Sequence, residues 1–304
     1  MRDLRDAVAS LLDVDLLPEV EDEEEEHGYD LFSEGPLEGF ERVAQLLSSV
    51  GLSLEDLPRR YRSGWFMMRR IRDFHIPMAL GWSKQGHGDV IWASAEFCAD
   101  VLSELPGELK LPAWETCRVL ELGSGVGLPS CCALRHGATV CASDLPNERL
   151  LALATSLRLN LKILEAAGRS AAARVMPHIW GQDAKKLCEE GDFHLILCND
   201  CLYMPELHKD LLESIDTCLA LTGSALICFS FHDTAPEAAI LGFFELARGR
   251  GFQVRDLAER QLAPRCSNMA LRRSYVYAKV LTRACACVLA EGRDRLGRDV
   301  WQRW

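Results

Sequence analysis

Three glycines stand at alternate positions directly after a short apolar stretch, with the spacing of a loop that holds a nucleotide. They are Gly123, Gly125 and Gly127, in the sequence RVLELGSGVGL. Glycine lets the backbone of a strand-to-helix turn approach a ligand closely, at an entropy cost that ordinary turns avoid. A dinucleotide loop has the spacing G-x-G-x-x-G, and its third glycine would stand where this chain has Leu128. The loop therefore indicates a nucleotide-type ligand but departs from the dinucleotide pattern.

Two carboxylates near this loop narrow the choice of ligand. We expect Glu121 at the mouth of the site, where a carboxylate suits a positive amino group better than a pyrophosphate. S-adenosylmethionine carries an ammonium and a sulfonium, and its own carboxylate can use the N–H groups at the start of the next helix. Asp144, in the sequence VCASD, can accept both hydroxyls of a ribose. We therefore predict S-adenosylmethionine, with a nicotinamide dinucleotide as the alternative, in a pocket that includes Glu121, Gly123, Ser124, Gly125 and Asp144.

The elements around these residues alternate between strand and helix patterns. RVLEL, TVCAS, ARVMPHIW, FHLILC and SALICFSF read as strands, and LPSCCALRHG, NERLLALATSLRLNLKILEAAG, PELHKDLLESIDTCLALTG and PEAAILGFFELARGRG read as helices. Such alternation predicts an α/β fold with a doubly wound, mostly parallel sheet and helices on both faces. FQVRDL and SYVYAKVL have no helix between them, so we expect an antiparallel hairpin at one edge. In this fold, ligands bind at the carboxyl ends of the strands where the strand order reverses.

Composition limits the class of protein. The 304 residues are 48% hydrophobic with a formal net charge of −11, which argues against nucleic acid as the main partner and suits a basic protein. No apolar run reaches the roughly 20 residues of a membrane span, and the acidic N-terminus lacks the apolar region of a signal peptide. Most of the 13 cysteines lie inside apolar runs, which predicts buried free thiols in a reducing compartment. We expect a cytoplasmic protein that is a monomer and contacts no membrane.

Charge and pattern divide the chain into four segments. Residues 1–35 contain EVEDEEEE, a block of acids that favours a disordered segment. Residues 36–88 are interpreted as an N-terminal helical and extended lobe. Its arginine-rich stretch RRYRSGWFMMRRIRDFHI would be compatible with RNA stacking, but the overall acidity favours a structural role. Residues 89–283 form the predicted catalytic domain, and residues 284–304 form a C-terminal tail.

Several motifs in the predicted order resemble the seven-β-strand protein-lysine methyltransferase group that carries a D-x-x-Y motif. LELGSGVGLP, SDLP, IWG and NDCLY carry the resemblance, which runs from about residue 85 to 280. It implies a seven-stranded Rossmann-like class I methyltransferase fold. It also implies that Trp92 and Trp180 lie against the cofactor, with the indole of Trp180 near the adenine, and that Asn199 precedes the D-x-x-Y residues Asp200 and Tyr203.

Within this group, the chain is most similar to the branch that methylates the N-terminus and a nearby lysine of translation elongation factor 1-alpha. The stretches GLPSCCALRHGA, SDLPNERLL and FFELARGRGFQV carry that similarity. The chain has DCLYMPELH where the branch has D-x-x-F-N-H-S-x-H. The resemblance implies a protein substrate, either an elongation factor or another cytosolic protein, and lysine or an N-terminal amine as the acceptor.

The implied catalytic residues suit methyl transfer to an amine. A lysine must be neutral to attack, whereas its unperturbed pKa of about 10.4 leaves it charged at pH 7. Desolvation beside a sulfonium would lower that pKa. We predict that Asp200 holds the amine and that Tyr203 forms a wall of the channel and donates a hydrogen bond. Asp200 stands too far before Pro205 to cap the helix that follows.

Other interpretations remain open. NDCLY also resembles the N-P-P-Y motif of enzymes that methylate nucleobase or glutamine amino groups, without its prolines. Cys198 and Cys201 form a C-x-x-C pair, and Cys285 and Cys287 form a C-x-C pair. Four such thiolates could bind zinc, although buried thiols are the commoner explanation. His232 could assist a substrate or be structural. The rival functions are a nucleic-acid or small-molecule amine methyltransferase, a nicotinamide-dependent oxidoreductase and a catalytically silent scaffold.

Overall fold

The computed structural model describes residues 66–80, 91–104, 106–146, 149–232, 235–262 and 275–283. Several predictions lie outside these residues. They concern the acidic segment 1–35, the helical pattern near residues 39–51, most of the arginine-rich stretch, the C-x-C pair and the tail 284–304.

The described chain contains nine strands and five α-helices. The strands are β1 (Phe66–Ile71), β2 (Phe74–Ala79), β3 (Arg118–Leu122), β4 (Thr139–Asp144), β5 (Ala173–Pro177), β6 (Phe193–Asn199), β7 (Leu219–Ser230), β8 (Phe252–Gln261) and β9 (Tyr275–Arg283). The helices are α1 (Ala93–Glu104), α2 (Leu128–His136), α3 (Arg149–Ala166), α4 (His208–Cys218) and α5 (Glu237–Gly249).

Seven strands form one sheet in the order β5-β4-β3-β6-β7-β9-β8. The first five are parallel, β9 runs antiparallel to β7, and β8 pairs antiparallel with β9. The predicted doubly wound, mostly parallel sheet with an antiparallel edge hairpin is confirmed. The strand order reverses between β3 and β6, and in such sheets the ligand site lies outside the carboxyl ends of these strands.

Each face of the sheet has its own apolar core. Along β3, Val119 joins the core shared with α1, α2 and α3, whereas Leu120 and Leu122 join the core shared with α4 and α5. Because side chains alternate along a strand, Glu121 points to the same face as Val119, toward α2. A carboxylate thus enters an otherwise apolar layer.

The hairpin of β1 and β2 packs into the core that contains Val119 and the helices α1, α2 and α3. Ile76 and Met78 are fully buried within it. The backbone N–H of Ala79 donates to Ser156 Oγ at 2.9 Å, and Asn160 Nδ2 donates to the Pro77 carbonyl at 3.0 Å, so that α3 holds β2. The described part of segment 36–88 therefore packs directly on the sheet domain, while the division into four segments stays a prediction.

The predicted boundary between α4 and β7 is wrong. The pattern PELHKDLLESIDTCLALTG predicted a helix up to Gly223, but α4 ends at Cys218 and β7 begins at Leu219. Leu219 pairs with Phe193 of β6, next to an irregular register. Pairing with the neighbouring strand prevails over the local helical pattern at this point.

The described cysteines are free, and nine of them are buried, including Cys131, Cys132, Cys141, Cys218 and Cys228. The prediction of buried free thiols is confirmed for this part of the chain. No helix among the described residues is both long and apolar enough to cross a membrane.

Candidate active site

A cavity of about 500 Å³ opens at the carboxyl ends of β3, β4 and β6, where the strand order reverses. All ten residues predicted for the site line it: Trp92, Glu121, Gly123, Ser124, Gly125, Asp144, Trp180, Asn199, Asp200 and Tyr203. They come from distant parts of the sequence, and the fold brings them together.

The glycine loop has the backbone that its sequence predicted. Gly123, Gly125 and Gly127 have φ values of 69°, 53° and 79°, in the left-handed region that favours glycine. A Cβ on Gly123 would lie 2.9 Å from Cys201 Sγ and 3.1 Å from Cζ2 of Trp180, so the missing side chain admits the indole. The N–H of Ser124 donates to the Ser143 carbonyl at 3.0 Å and ties the loop to the end of β4.

Asp144 is held at the end of β4 by two backbone N–H groups. The N–H of Gly125 donates to Asp144 Oδ2, and the N–H of Leu145 donates to Oδ1, both at 2.7 Å. A carboxylate oxygen has two lone pairs, so each oxygen keeps acceptor capacity for a further donor such as a ribose hydroxyl. The contact with Gly125 also couples the carboxylate to the glycine loop.

We expected Glu121 at the mouth of the cavity, but it lies deeper. Its residue is 1% exposed, and its Oε2 accepts from the N–H and the hydroxyl of Ser130 at 3.1 and 2.5 Å. Asn199 Nδ2 donates to Oε1 at 2.8 Å across the β3–β6 pair. Burial raises the pKa of Glu121 to about 7, and the hydrogen bonds from Ser130 and Asn199 oppose that rise.

This set of groups fits S-adenosylmethionine. Asn199 Oδ1 is buried without a hydrogen-bond partner among the described residues, and Asn199 lines the cavity, so an acceptor is available there for an N–H of a ligand. Glu121 beside it provides a negative charge for an ammonium group when it is ionised. Asp144 would hold the ribose, and the glycine loop admits a ligand close to the backbone.

Asp200 follows β6 directly and takes a strained backbone, with φ of 50° on a residue that is not glycine. The residue is 8% exposed. Ser94 Oγ donates to its Oδ2 at 2.8 Å, and the N–H and hydroxyl of Ser230 donate to Oδ1 at 2.9 and 3.0 Å. His232 Nε2 lies 3.2 Å from Oδ1. Asp200 is thus held by α1 and by the end of β7 and does not cap the following helix.

The predicted aromatic residues lie around this carboxylate and the loop. Tyr203 is half-buried in the cavity wall. Trp92 packs edge to face with the ring of His232, with centroids 5.4 Å apart. Trp180 lies next to Gly123 and lines the same cavity. The roles that the resemblance implies for these three residues stay predictions.

The C-x-x-C pair behaves as buried thiols. Cys198 and Cys201 are both buried, and burial raises the pKa of each thiol well above its usual value. Cys201 Sγ donates to the Leu122 carbonyl at 3.3 Å. Thiols with raised pKa values are poor metal ligands, because the thiolate is the form that binds zinc.

Sequence reasoning missed four residues that hold the site. Ser94, Ser130 and Ser230 donate to the two buried carboxylates, and His208 Nε2 bonds the Leu202 carbonyl at 3.0 Å within the D-x-x-Y stretch. Burial lowers the pKa of His208, so the neutral ring donates to that carbonyl. Of these four residues, only Ser230 could have been found from its place in the sequence. It ends the strand next to β6, so it must lie at the same edge of the sheet as Asp200.

The chain is similar to several known proteins. Residues 79–246 match a protein-family model described as lysine methyltransferase. A protein N-terminal and lysine N-methyltransferase, EFM7, from Candida albicans is 27% identical over 214 residues, covering 65% of this chain and 79% of the relative. EFM7 from Eremothecium gossypii is 30% identical over 224 residues, covering 69% and 82%. Magnesium protoporphyrin IX methyltransferase from Synechocystis with bound S-adenosylmethionine aligns with a TM-score of 0.44 at 18% identity, covering 62% of this chain and 79% of that structure.

Proposed function

The chain belongs to the lysine methyltransferase family and is a methyltransferase that uses S-adenosylmethionine, and we propose that it methylates a lysine of a basic protein. An N-terminal amine of the same protein is a second acceptor with the same chemistry. The resemblance to the branch that acts on elongation factor 1-alpha makes a translation elongation factor the first candidate substrate.

The observation that carries this proposal is the charge of the cavity wall. Glu121, Asp144, Asp200 and Asp210 line it, and the described residues contribute no lysine or arginine to it. Carboxylates in a partly enclosed site attract cations and repel phosphates. Such a wall suits a lysine ammonium, whereas a nucleic-acid or dinucleotide ligand would place phosphates against it.

The fold supplies positioning for an in-line displacement. Bound S-adenosylmethionine supplies an electrophilic methyl group next to a positive charge. Asp200, which lines the cavity, would hold the lysine amine through its carboxylate, whose Oδ2 accepts from Ser94 at 2.8 Å and from Ser230 at 3.3 Å. Tyr203 forms a wall of the channel and hydrogen-bonds near the same point. Fixing the amine in line with the methyl group accounts for much of the rate in such reactions.

The proposal places the protein in the cytoplasm as a monomer that contacts neither nucleic acid nor a membrane. The buried free thiols suit a reducing compartment. Among the described residues, the exposed large apolar side chains are Leu145, Ile179, Leu221 and Leu246, and the first two line the cavity. Scattered exposed apolar residues of this kind are normal on a monomer, which supports this part of the proposal.

The test is methyl transfer from tritium-labelled S-adenosylmethionine to a lysate of cells that lack the gene, with purified elongation factor 1-alpha in parallel. We expect label on lysine, with or without the N-terminal amine, of one protease-sensitive band, identified by mass spectrometry. Asp144→Ala should abolish the label, together with the rise in melting temperature that S-adenosylhomocysteine gives the wild type. Label in nucleic acid or small molecules, or stabilisation by NAD and not by S-adenosylhomocysteine, would contradict the proposal.

A further inference from the structure

His232 lies directly beyond the end of β7, and its half-buried ring lines the same cavity as Asp200 and Tyr203. Three contacts fix the ring. Its Nε2 lies 3.2 Å from Asp200 Oδ1 and 3.2 Å from Ser230 Oγ, and its plane stands at 81° to the indole of Trp92. A histidine held on two sides in a cavity wall has the placement of a group that meets the substrate.

The surrounding groups favour one position for the ring proton. The Ser230 hydroxyl lies 3.0 Å from Asp200 Oδ1 and 3.3 Å from Oδ2. When it donates its one hydrogen to that carboxylate, its oxygen is an acceptor toward the ring at 3.2 Å. This arrangement favours a hydrogen on Nε2, facing Asp200 and Ser230, and leaves the lone pair of the neutral ring on Nδ1. A carboxylate behind a histidine fixes its tautomer in this way and stabilises the imidazolium that forms when the ring gains a proton.

We propose that His232 accepts the proton that the substrate lysine must lose before it attacks, and that Asp200 and Ser230 are its positioning residues. This inference rests on the proposed function, because it requires an ammonium substrate. It gives Asp200 a second role, since the carboxylate that faces the amine also orients the base beside it.

The step balances as follows. An N–H bond of the lysine ammonium breaks, its electron pair stays on nitrogen, and the proton forms a new N–H bond at Nδ1 of His232. The neutral amine then attacks the methyl carbon of bound S-adenosylmethionine. The C–N bond forms as the C–S bond breaks, and the electron pair of the C–S bond goes to sulfur. The imidazolium, paired with Asp200, returns its proton to solvent.

Other titratable groups line the cavity and must be separated from His232 in any pH experiment. They are Glu121, Asp144, His178, Cys201, Tyr203 and Asp210. Among the described residues, Asp200 is the charged group within hydrogen-bond distance of the ring. Trp92, which packs on the ring from the side of α1, does not titrate at these pH values. Glu121 needs its own control because burial raises its pKa to about 7.

The decisive variant is His232→Gln, whose amide N–H can keep the contact with Asp200 but cannot take up a proton. The probe is tritium-labelled S-adenosylmethionine with the lysate described above. We expect a loss of about a hundredfold or more in initial rate at pH 7, which is the usual scale of general-base catalysis. The KM for S-adenosylmethionine and the stabilisation by S-adenosylhomocysteine should stay close to wild type. His75→Gln, at an exposed histidine of β2, is the matched control and should leave the rate unchanged.

The pH profile distinguishes a base from a structural residue. As pH rises from 6 to 10, free lysine loses its own proton, so the gap between wild type and His232→Gln should narrow. By contrast, the difference in rate between wild type and Glu121→Gln should not narrow as pH rises. A gap that is constant over this range, or below about threefold at pH 7, would overturn the inference.

A readout independent of activity is the nitrogen NMR spectrum of ¹⁵N-labelled histidine, with the His232 signal assigned by its absence in His232→Gln. We expect the tautomer with hydrogen on Nε2 in the wild type and a change in the Asp200→Asn variant. The opposite tautomer in the wild type would overturn the inference. If the wild type methylates no lysine, the proposed function fails; if it does so and His232→Gln is equally fast, this inference alone fails.

Discussion

Two buried carboxylates stand at the ends of neighbouring strands in this protein, and they are held in different ways. Glu121, within β3, is 1% exposed and bonds Ser130 of α2 and Asn199 of β6. Asp200, just beyond β6, is 8% exposed and bonds donors from α1 and from the chain at the end of β7. One carboxylate lies in a regular strand and the other on a residue with positive φ.

This difference suits the separate roles that we propose for the two carboxylates. The backbone of Glu121 is ordinary strand, and burial raises its pKa to about 7. Asp200 has a strained backbone and a titratable neighbour, His232, that also lines the cavity. Strain of this kind persists where the surrounding structure compensates for it, and it concentrates at functional sites. We therefore propose that Glu121 belongs to the cofactor half of the cavity, with Asp144 and the glycine loop, and that Asp200 belongs to the acceptor half, with Tyr203 and His232.

The largest expected effect comes from Asp200→Ala. Removing the carboxylate takes away both the acceptor for the lysine amine and the group behind His232, so turnover should fall by a factor of about 10² to 10⁴. S-adenosylhomocysteine should still raise the melting temperature, because the Asp200 carboxylate is not among the groups that we propose for the cofactor. Asp200→Asn keeps the shape and one acceptor oxygen and should fall between wild type and Asp200→Ala. Turnover and S-adenosylhomocysteine affinity measured on the same preparations check both statements.

Two outcomes would break the comparison between the carboxylates. If Asp200→Ala turns over normally, the amine is held elsewhere. If Asp200→Ala loses cofactor binding together with turnover, Asp200 belongs to the cofactor half. Asp216→Ala is a suitable control for the loss of a carboxylate, since Asp216 pairs with Arg283 and does not line the cavity.

The sequence predicted the sheet and the lining of the cavity better than it predicted how the lining is held. Alternating apolar strands and glycine positions are local signals that indicated Gly123 and Asp144, and the resemblance indicated Asp200; all three residues line one cavity. The depth of Glu121 was not predictable in the same way. It depends on Ser130 and Asn199, which meet the carboxylate only when α2 and β6 pack against β3.

The serines that bond Asp200 were not identified from the sequence. Ser94 and Ser230 lie 106 and 30 residues from Asp200 along the chain, and a serine in a helix or strand has no pattern that marks it as a partner. His232 was recognised only as a histidine after a strand. Its contact with Asp200 results from the adjacency of β6 and β7, and the same adjacency extends β7 back to Leu219, where the local pattern predicted helix.

The next largest effect is expected in the pH dependence of stability, through Glu121. The pKa of Glu121 is raised from 4.5 to about 7 in the folded protein, so the native state favours the protonated form. Its contribution to stability is fully present below pH 4.5 and is lost as pH rises through about 7. A shift of that size corresponds to roughly 3 kcal/mol. Glu121→Gln removes this titration, and its amide can pair with Asn199 Oδ1, which has no partner among the described groups.

The measurement is the free energy of unfolding in urea between pH 5 and pH 8, for the wild type and for Glu121→Gln without cofactor. The stability of the variant relative to the wild type should rise with pH across this range. Glu115→Gln, at an exposed glutamate before β3, should run parallel to the wild type. Parallel curves for Glu121→Gln as well would mean that Glu121 is ionised in the native state at all these pH values, like a surface carboxylate.

The smallest expected effect concerns the glycine loop in the cofactor half of the cavity. The question is whether close packing against Leu153 stabilises this loop in addition to its backbone conformation. Gly127 has φ of 79°, and a Cβ there would overlap Cδ1 of the buried Leu153. Gly168 has φ of 69° and no atom within 4 Å of such a Cβ. Both alanine variants meet the left-handed backbone cost of about 1–2 kcal/mol, but Gly127→Ala also overpacks the core, so it should lose a further 1–3 kcal/mol or so. Unfolding in urea gives the difference between the variants, and adding Leu153→Ala should shrink the steric part of the loss without removing the backbone part. Equal losses in Gly127→Ala and Gly168→Ala would show that Leu153 moves aside freely, and the glycine loop would then depend on its backbone conformation alone.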